Sequence, residues 1–140
     1  MLDRATPRLH GLPANDVDEP VRVDSIVERA IALMREHPEA AWTVESLAQA
    51  TGCSRATFAR RFAAATGTTP LAFLTMVRLH GAARHLAHTD AGLAAIAAAA
   101  GYATEFAFGR AFKRVFRIAP GQFRRSLWRK QTATSIRAAA

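Results

Sequence analysis

Arginine is the residue type in this sequence that is best suited to bind a ligand. Seventeen of the nineteen basic residues are Arg, whose planar guanidinium forks onto phosphates and guanine edges and stacks on bases. This composition favours a nucleic-acid partner. The competing interpretation is that the excess of Arg only reflects an alanine- and arginine-rich genome.

The other reactive side chains do not form a catalytic or metal-binding pattern. His80, His85 and His88 lie on one predicted helix, but no carboxylate or thiolate joins them at a useful spacing, so we interpret them as a solvated helix end. Cys53 lacks an adjacent basic partner that would activate its thiol. The sequence contains neither a Gly-rich phosphate loop nor a nucleophile elbow. We therefore predict no enzymatic activity, no cofactor and no bound metal.

The positive charge is concentrated in the later part of the chain. The formal net charge is +8, but residues 46–140 carry only two acids, Asp90 and Glu105, against fourteen Lys and Arg. A compact domain with such a charge favours a polyanionic partner, either nucleic acid or an anionic membrane surface. Charge alone does not choose between the two.

The first 23 residues differ from the rest. Residues 1–23 contain three prolines and scattered acids without periodicity, which predicts a flexible N-terminal arm. This stretch has no apolar core of signal-peptide length, and no apolar run in the chain approaches about 18 residues. The single cysteine cannot form an internal disulfide, which fits a reducing compartment. We expect a soluble, cytoplasmic protein.

Hydrophobic periodicity, caps and breakers predict that the rest of the chain is helical. The first helix begins near Ser25 and ends before Pro38. Further helices are predicted from Val44 to about Thr51, from Arg55 to about Thr66, from Pro70 to about Ala87, from Leu93 to about Ala100, after Thr104, and from Pro120 to about Lys130. The tail from Thr132 lacks a pattern and is expected to fray.

One pattern occurs twice in the chain. The stretch GCSRATFARRF begins at Gly52, and its counterpart GYATEFAFGRAFKRVF begins at Gly101. The offset is 49 residues up to the glycines and 50 after them, and it aligns Leu47-Ala48 with Ile96-Ala97, Phe58 with Phe108, Arg60 with Arg110, Phe62 with Phe112, Pro70 with Pro120, and Phe73 with Phe123. In each copy a small Ala lets two helices cross, a Gly ends the first helix, and a Phe pair anchors the second. Each copy therefore predicts a helix-turn-helix unit.

Two such units on one chain indicate a way to bind DNA. A stiff helix between them would hold two recognition helices at a fixed distance, and a distance of about 34 Å, one turn of B-DNA, would let both enter successive major grooves. The competing interpretation is a duplicated helical hairpin without a ligand. DNA is favoured because the exposed faces of both candidate recognition helices lie in the strongly basic part of the chain.

Residues from about Val21 to Arg125 resemble the AraC/XylS-type DNA-binding domain of bacterial transcription regulators. The resemblance is carried by WTVESLAQATGCSRATFARRF, TPLAFLTMVRLHGAARHLAHTD and IAAAAGYATEFAFGRAFKRVFRIAPGQFRR. It implies an all-α, homeodomain-like fold of about seven helices, in which a linker helix, residues 69–88, joins two helix-turn-helix subdomains, residues 24–68 and 89–130. Residues 131–140 would form the frayed tail.

The resemblance also implies, by position, which residues of the first unit meet DNA. Base edges would be contacted by Ala56, Ala59 and Arg60, with Arg55 and Thr57 near the DNA backbone. An Arg side chain can chelate O6 and N7 of guanine, and the methyl group of an Ala can touch the methyl group of a thymine.

In the second unit, the resemblance implies base contacts from Glu105, Phe106, Gly109 and Arg110. A Glu can accept a hydrogen bond from cytosine N4, and an aromatic ring can touch a thymine methyl. The remaining predicted DNA contacts are Thr104, Lys113, Arg124 and Arg125. For Arg124 and Arg125, a role as the solvated face of the last helix is an equal alternative.

Several residues depart from the family pattern. Arg117 stands where a Gly with positive φ is usual, and Ala119 stands where a Ser or Thr normally caps the last helix. Gly81, Gly109 and the pair Ala99-Ala100 also replace larger or more polar side chains. We therefore expect the second subdomain to be looser and to contribute less to sequence reading than the first.

Family members usually carry a separate ligand-binding or dimerisation domain, for which residues 1–23 are too short. We expect an isolated domain, a fragment or a stand-alone regulator that acts as a monomer on double-stranded promoter DNA, with RNA polymerase as a further partner. One alternative is a non-specific DNA-coating or regulatory fragment. Another is a protein that binds anionic membrane surfaces. A helix that lies on a membrane should have one continuous apolar face, whereas here glycines and helix caps interrupt the apolar residues, as in a folded core.

Overall fold

The computed structural model describes residues 24–139, and in that range the protein is all-α. The helices are α1 (Ser25–Glu36), α2 (Val44–Thr51), α3 (Arg55–Thr66), α4 (Pro70–His88), α5 (Leu93–Ala99), α6 (Glu105–Phe116) and α7 (Pro120–Ala139). These seven helices confirm the predicted fold class. The predicted arm, residues 1–23, lies outside the described residues.

The chain divides into two compact units. The first unit comprises Thr43–Pro70 with the part of α1 up to Ala32, and the second comprises Leu33–Trp42 with everything from Leu71 onward. The linker helix α4 and the segment after α1 therefore belong with the second helix-turn-helix. α4 contributes Leu79, Ala82 and Leu86 to the core that it shares with α5 and α6. The Arg78 guanidinium of α4 joins the segment after α1 to this helix, because it donates to two carbonyl groups of that segment.

Caps set the limits of the helices in the first unit. The Thr43 side chain accepts from the Ser46 N–H and the Ser46 side chain accepts from the Thr43 N–H, both at 2.9 Å, so α2 begins with a capping box. Gly52 ends α2 with a left-handed φ of 81°. α3 begins after the Ser54 cap and ends at Gly67, where φ is 78°.

The core of the first unit takes apolar side chains from three helices. Its buried residues are Val27 and Ala30 of α1, Leu47 and Ala48 of α2, and Phe58 and Phe62 of α3. The Phe58 and Phe62 rings lie 5.6 Å apart, because residues at i and i+4 share one face of a helix. The opposite face of α3 is left to solvent.

The second unit repeats this arrangement with a larger aromatic core. Buried residues from α4, α5 and α6 form it, namely Leu79, Ala82, Leu86, Ile96, Ala97, Ala100, Phe108 and Phe112. The Phe112 ring stacks on Phe116 at 4.5 Å and meets Phe123 of α7 edge-on at 5.2 Å. α6 is thereby anchored along one face by three aromatic rings at four-residue spacing.

The structure confirms the repeat and its change of offset. α2 and α5 begin 49 residues apart, at Val44 and Leu93, whereas α3 and α6 begin 50 residues apart, at Arg55 and Glu105. The turn glycines also correspond, since Gly101 has a φ of 93°. A Cβ on Gly101 would lie 2.7 Å from the Pro38 carbonyl oxygen, so close packing also requires this glycine.

One pair of tertiary hydrogen bonds in the second unit follows the same offset. Arg78 Nε donates to the Pro38 carbonyl at 2.8 Å, and Trp128 Nε1, fifty residues later, donates to the Ala87 carbonyl at 3.4 Å. Ala87 lies 49 residues after Pro38. Each of these side chains thus ties a helix to the segment that ends an earlier helix.

The last helix is longer than predicted. α7 does not end near Lys130 but continues to Ala139, through the segment for which a frayed tail was expected. Residues 129–138 are exposed, so they show no apolar periodicity from which a helix could be predicted. They contain neither Gly nor Pro, and their Ala, Arg, Lys and Gln residues are strong helix formers, which lets the helix continue without burial.

Candidate nucleic-acid interface

The exposed face of α3 carries the residues predicted to meet DNA in the first unit. Arg55, Ala56 and Arg60 are exposed, and Thr57 and Ala59 are half-buried. The buried Phe58 and Phe62 hold the opposite face against the core, which fixes how the helix is turned. The structure therefore brings these predicted residues together on one accessible helix.

α6 presents the corresponding surface in the second unit. The residues Glu105, Phe106, Arg110 and Lys113 are exposed, as is the preceding Thr104, and Gly109 is half-buried. Phe108 and Phe112 are fully buried on the other face. Glu105 lies in the first turn and Lys113 in the last, an order of charges that suits the helix dipole.

Arg60 and Arg110 occupy equivalent positions of the two helices, each fifty residues from the other in the repeat. Their neighbours one turn earlier differ, since Ala56 precedes Arg60 and Phe106 precedes Arg110. Phe106 is 73% exposed, and the Arg110 guanidinium carbon lies 5.7 Å from its ring centroid. A cation–π contact of this kind favours the rotamer that places the Arg110 guanidinium over the ring.

Hydroxyl side chains cap the N-termini of α3 and α6. Ser54 accepts from the Thr57 N–H at 3.2 Å, and Thr104 accepts from the Ala107 N–H at 3.0 Å. A hydroxyl that accepts a cap hydrogen bond retains its own donor. Thr104 can therefore cap α6 and still donate to a phosphate oxygen.

Gly109 lies on the exposed face of α6 without a steric reason for being glycine. A Cβ placed on it would meet nothing within 4 Å, and its φ is not positive. The equivalent residue of α3 is Ala59. The missing side chain leaves the helix backbone open to close approach by a ligand.

The two predicted phosphate contacts of α7 have different surroundings. Arg124 is half-buried: its Nε donates to the Leu86 carbonyl at 3.1 Å and its Nη2 donates to the Thr89 carbonyl at 3.0 Å. Its guanidinium also lies 5.3 Å from the Trp128 ring centroid. Arg125 is exposed. Arg124 is therefore used to join α7 to the end of α4, whereas Arg125 is available to a ligand.

Reasoning from the sequence did not identify Arg78, which joins two distant segments of the chain. Its guanidinium is half-buried and donates to the carbonyls of Pro38 and Ala40, both at 2.8 Å. These partners lie 40 and 38 residues away, so no local pattern could indicate them. Arg114, exposed in the last turn of α6, adds a further cation beside Lys113 that the predicted set did not include.

Tyr102 supports α6 from the turn before it. Its ring lies 5.8 Å from that of Phe108. Burial raises the pKa of the Tyr102 hydroxyl above its ordinary 10.0, against the opposing charges of Arg78 and Arg114. The hydroxyl therefore stays neutral at physiological pH.

The remaining reactive side chains, His80 and Cys53, contact neighbouring side chains of the protein. The His80 ring meets Phe116 edge-on at 5.4 Å, and Cys53 is half-buried with its sulfur 3.9 Å from the Thr51 hydroxyl. Within residues 24–139, no three His, Cys, Asp or Glu side chains cluster closely enough to hold a metal ion. None of the helices in the described part of the chain has the length and apolarity needed to cross a membrane.

Two helix-turn-helix units, each with a helix anchored by phenylalanines and exposing a polar, arginine-bearing face, define a DNA-binding domain of a transcription regulator. A family model described as a helix-turn-helix domain matches residues 47–126. The chain belongs to the AraC-type helix-turn-helix domains of bacterial transcription regulators.

Individual relatives agree with this assignment. The RCS-specific transcriptional activator RclR of Escherichia coli K12 is 47% identical over 94 residues, which cover 67% of this chain and 33% of RclR. The C-terminal domain of AraT, a response regulator from Geobacillus stearothermophilus, is 31% identical with a TM-score of 0.69, over 73% of this chain and 85% of that domain.

A third relative was solved with its ligand. The DNA-binding domain of the global transcriptional factor AdpA, in complex with a target DNA, is 29% identical with a TM-score of 0.72, over 76% of this chain and 96% of that domain. The chain spans about a third of the length of the curated relatives it matches. The relatives are transcription regulators and not enzymes, as expected from the sequence.

Proposed function

We propose that the chain binds double-stranded promoter DNA in a sequence-specific way, with α3 and α6 each entering a major groove and the two grooves following one another along the duplex. The observation that carries this proposal is the equivalence of Arg60 and Arg110 on the exposed faces of two anchored helices. A duplicated unit with the same reading residue in each copy suits a site with two half-sites on one face of the duplex.

The base contacts are those that the family resemblance implies by position, and the exposure and chemistry of these side chains support them. Arg60 and Arg110 chelate guanine, Glu105 accepts from a cytosine amino group, and Ala56 and Phe106 meet thymine methyl groups. The contact between Arg110 and Phe106 keeps one guanidinium pre-oriented, which lowers the entropy lost when it binds a base. This pre-orientation would offset part of the weaker sequence reading that the departures from the family pattern predict for the second subdomain.

The remaining contacts position the domain on the DNA backbone. Arg55, Thr57, Thr104, Lys113 and Arg125 supply hydrogen bonds and charge to phosphates, which raises affinity without selecting a sequence. Ala59 and Gly109 lie against the groove, where small residues allow close approach. Arg124 is left out of this set because its guanidinium serves two main-chain carbonyls.

Two relatives support a regulatory role. AdpA's domain was solved on a target DNA, and RclR is a transcriptional activator. By analogy we infer that this domain regulates transcription from a bacterial promoter in the cytoplasm. RNA polymerase is the further partner that activation would require, and a single chain with two recognition helices can bind as a monomer.

The test of the proposal is selection of a site from a random duplex library at about 0.15 M salt, followed by titration of the selected and scrambled duplexes. Specific regulators bind their sites at least about a thousandfold more tightly than random DNA. A ratio of that order supports the proposal. A ratio near one would instead support the alternative of a non-specific DNA-coating fragment.

A further inference from the structure

The second unit contains a cavity of about 430 Å³ that the proposed DNA contacts do not use. It is lined by the end of α1 and by α4 and α5, and includes Pro38, Val77, Gly81, Ala82 and Ile96. Ala82 and Ile96 are also part of the buried core into which α6 inserts Phe108 and Phe112. A ligand in this cavity would therefore touch the core that supports the second recognition helix.

Small residues create the open space. Gly81, Ala82, Ala99 and Ala100 all line it, where longer side chains would fill it. A Cβ on Gly81 would meet only Arg84 Nη2, at 3.7 Å, and the φ of Gly81 is not positive. No neighbour requires a glycine there, although a glycine inside a helix destabilises it by about 1 kcal/mol relative to Ala. A larger side chain at Gly81 would enter the cavity.

The lining is apolar at its floor and cationic at its edge. Arg35, Arg84, His85 and His88 are exposed and line the cavity, and the half-buried Arg78 adds a further positive charge. Among the described residues of the lining there is no Asp or Glu. Arg78 already donates to two carbonyls, so Arg35 and Arg84 are the guanidinium groups available to a ligand.

We propose that this cavity binds a small organic anion, with its apolar body on the floor and its carboxylate at the guanidinium groups of Arg84 and Arg35. Most ligand sites combine an apolar lining with a few placed polar groups, and a guanidinium matches a carboxylate in a bidentate geometry. A neutral ligand of the same shape would leave the cationic edge unpaired. The proposal does not depend on DNA binding, because it concerns the free protein.

The experiment uses the full 140-residue chain, free of DNA, with naphthalene-2-carboxylate as the probe and naphthalene-2-carboxamide as its uncharged counterpart. Backbone amide NMR shifts are followed during each titration. The carboxylate is expected to saturate shifts confined to the residues around Gly81, Ala82 and Ala100, and the carboxamide to bind about tenfold more weakly because it lacks the charge-assisted hydrogen bonds. Equal binding of the two probes, or the absence of saturable shifts at these residues, would overturn the proposal.

Three variants locate the site. Gly81→Leu fills the cavity and removes a helix glycine, so the variant is expected to fold normally and to lose binding of both probes. Arg84→Gln is expected to weaken the carboxylate about tenfold and leave the carboxamide unchanged. Arg129→Gln, which removes an exposed charge of α7 outside the cavity, is the control and should bind like the unaltered chain.

The outcomes separate this inference from the proposed function. Undiminished carboxylate binding by Gly81→Leu would show that the probe does not occupy the cavity and would reject the site. An equal loss in Arg84→Gln and Arg129→Gln would show that the probe responds only to net charge and would reject it as well. If the probe fails to bind, the proposal of DNA binding is unaffected, because the duplex titrations use the chain without any small ligand. Failure to find a specific DNA site would equally leave the cavity result standing.

Discussion

At the scale of single residues, the two arginines of α7 show how similar sequence positions acquire different roles. Arg124 and Arg125 are adjacent in the chain, and for both of them the sequence left a phosphate contact and a place on the solvated helix face as equal alternatives. Only the structure distinguishes them, because the carbonyls that Arg124 binds are 38 and 35 residues away. An exposed arginine and an arginine that closes the end of a distant helix look alike in a sequence.

This difference predicts opposite effects of two conservative substitutions. Arg124→Gln is expected to lower the free energy of unfolding by about 1–2 kcal/mol, because it removes charge-assisted hydrogen bonds at a half-buried site. Arg125→Gln should change stability by less than about 0.5 kcal/mol. It should instead weaken selected and scrambled DNA alike and reduce the salt slope of binding by about 1.

Urea denaturation and salt titration measure the two effects separately. If Arg124→Gln left the unfolding midpoint unchanged while weakening all DNA, the assignment of Arg124 to hydrogen bonds within the protein would be wrong. A stability loss in Arg125→Gln equal to that in Arg124→Gln would contradict the account in the same way.

At the scale of elements, the end of α6 carries local strain that its counterpart avoids. Arg117 has a φ of 72°, whereas the residue that ends α3 is Gly67, with a φ of 78°. A left-handed conformation costs a residue with a Cβ about 1–2 kcal/mol. The sequence indicated this position correctly, since Arg117 stands where the family has a glycine.

Exchanging the two residues tests the strain. Arg117→Gly is expected to raise the free energy of unfolding by about 1 kcal/mol, part of the relief being offset by the greater freedom of glycine in the unfolded chain. Gly67→Arg should destabilise the protein by about 1–2 kcal/mol, although a Cβ there meets no neighbour. Thermal or urea unfolding of both variants measures this; a destabilised Arg117→Gly would show that the Arg117 side chain makes a stabilising contact that outweighs the strain.

A second element-scale prediction concerns the middle of α6. Gly109→Ala is expected to stabilise the protein by about 1 kcal/mol, because helix propensity rises and the added Cβ has open space. DNA affinity should be retained, since α3 carries Ala59 at the equivalent position. The variant is compared with the unaltered chain by unfolding and by duplex titration. A stable variant with weakened affinity would mean that the DNA approaches the α6 backbone more closely than that of α3.

An element could be predicted where the burial of one of its faces gave the sequence an apolar periodicity. The starts of α2, α3 and α6 could be predicted, because each combines a cap residue, Thr43, Ser54 or Thr104, with apolar periodicity in the residues that follow. The end of α7 could not, because its last residues are exposed and helical without an apolar stripe. The cavity was also hidden: Gly81 and Ala99-Ala100 stood out as departures from the family pattern, but only the packing of α4 and α5 shows that they line one space.

At the scale of the whole molecule, duplication explains most of the fold. One set of cap, glycine and phenylalanine positions builds each helix-turn-helix, and even the tertiary hydrogen bonds of Arg78 and Trp128 follow the repeat. The division into units departs from the repeat, because α4 and the segment after α1 join the second unit. The linker was predicted as a separate element because periodicity identifies a long helix without indicating which core it packs against.

The proposed function assigns each copy one half of a DNA site. Two reading residues at equivalent positions should therefore act on two different base pairs, about one helical turn apart. The copies are not identical, since Phe106 supports Arg110 where Ala56 precedes Arg60. This difference allows the two half-sites to have different sequences.

The most direct test measures the affinities of the unaltered chain, Arg60→Ala and Arg110→Ala for the selected duplex and for duplexes with each base pair changed in turn. We predict that each variant loses about 1–3 kcal/mol on the selected duplex and ceases to discriminate at one base pair, with the two base pairs about one helical turn apart. The account would be contradicted if each variant lost the same affinity on selected and scrambled DNA, since Arg60 and Arg110 would then bind phosphate and read no base.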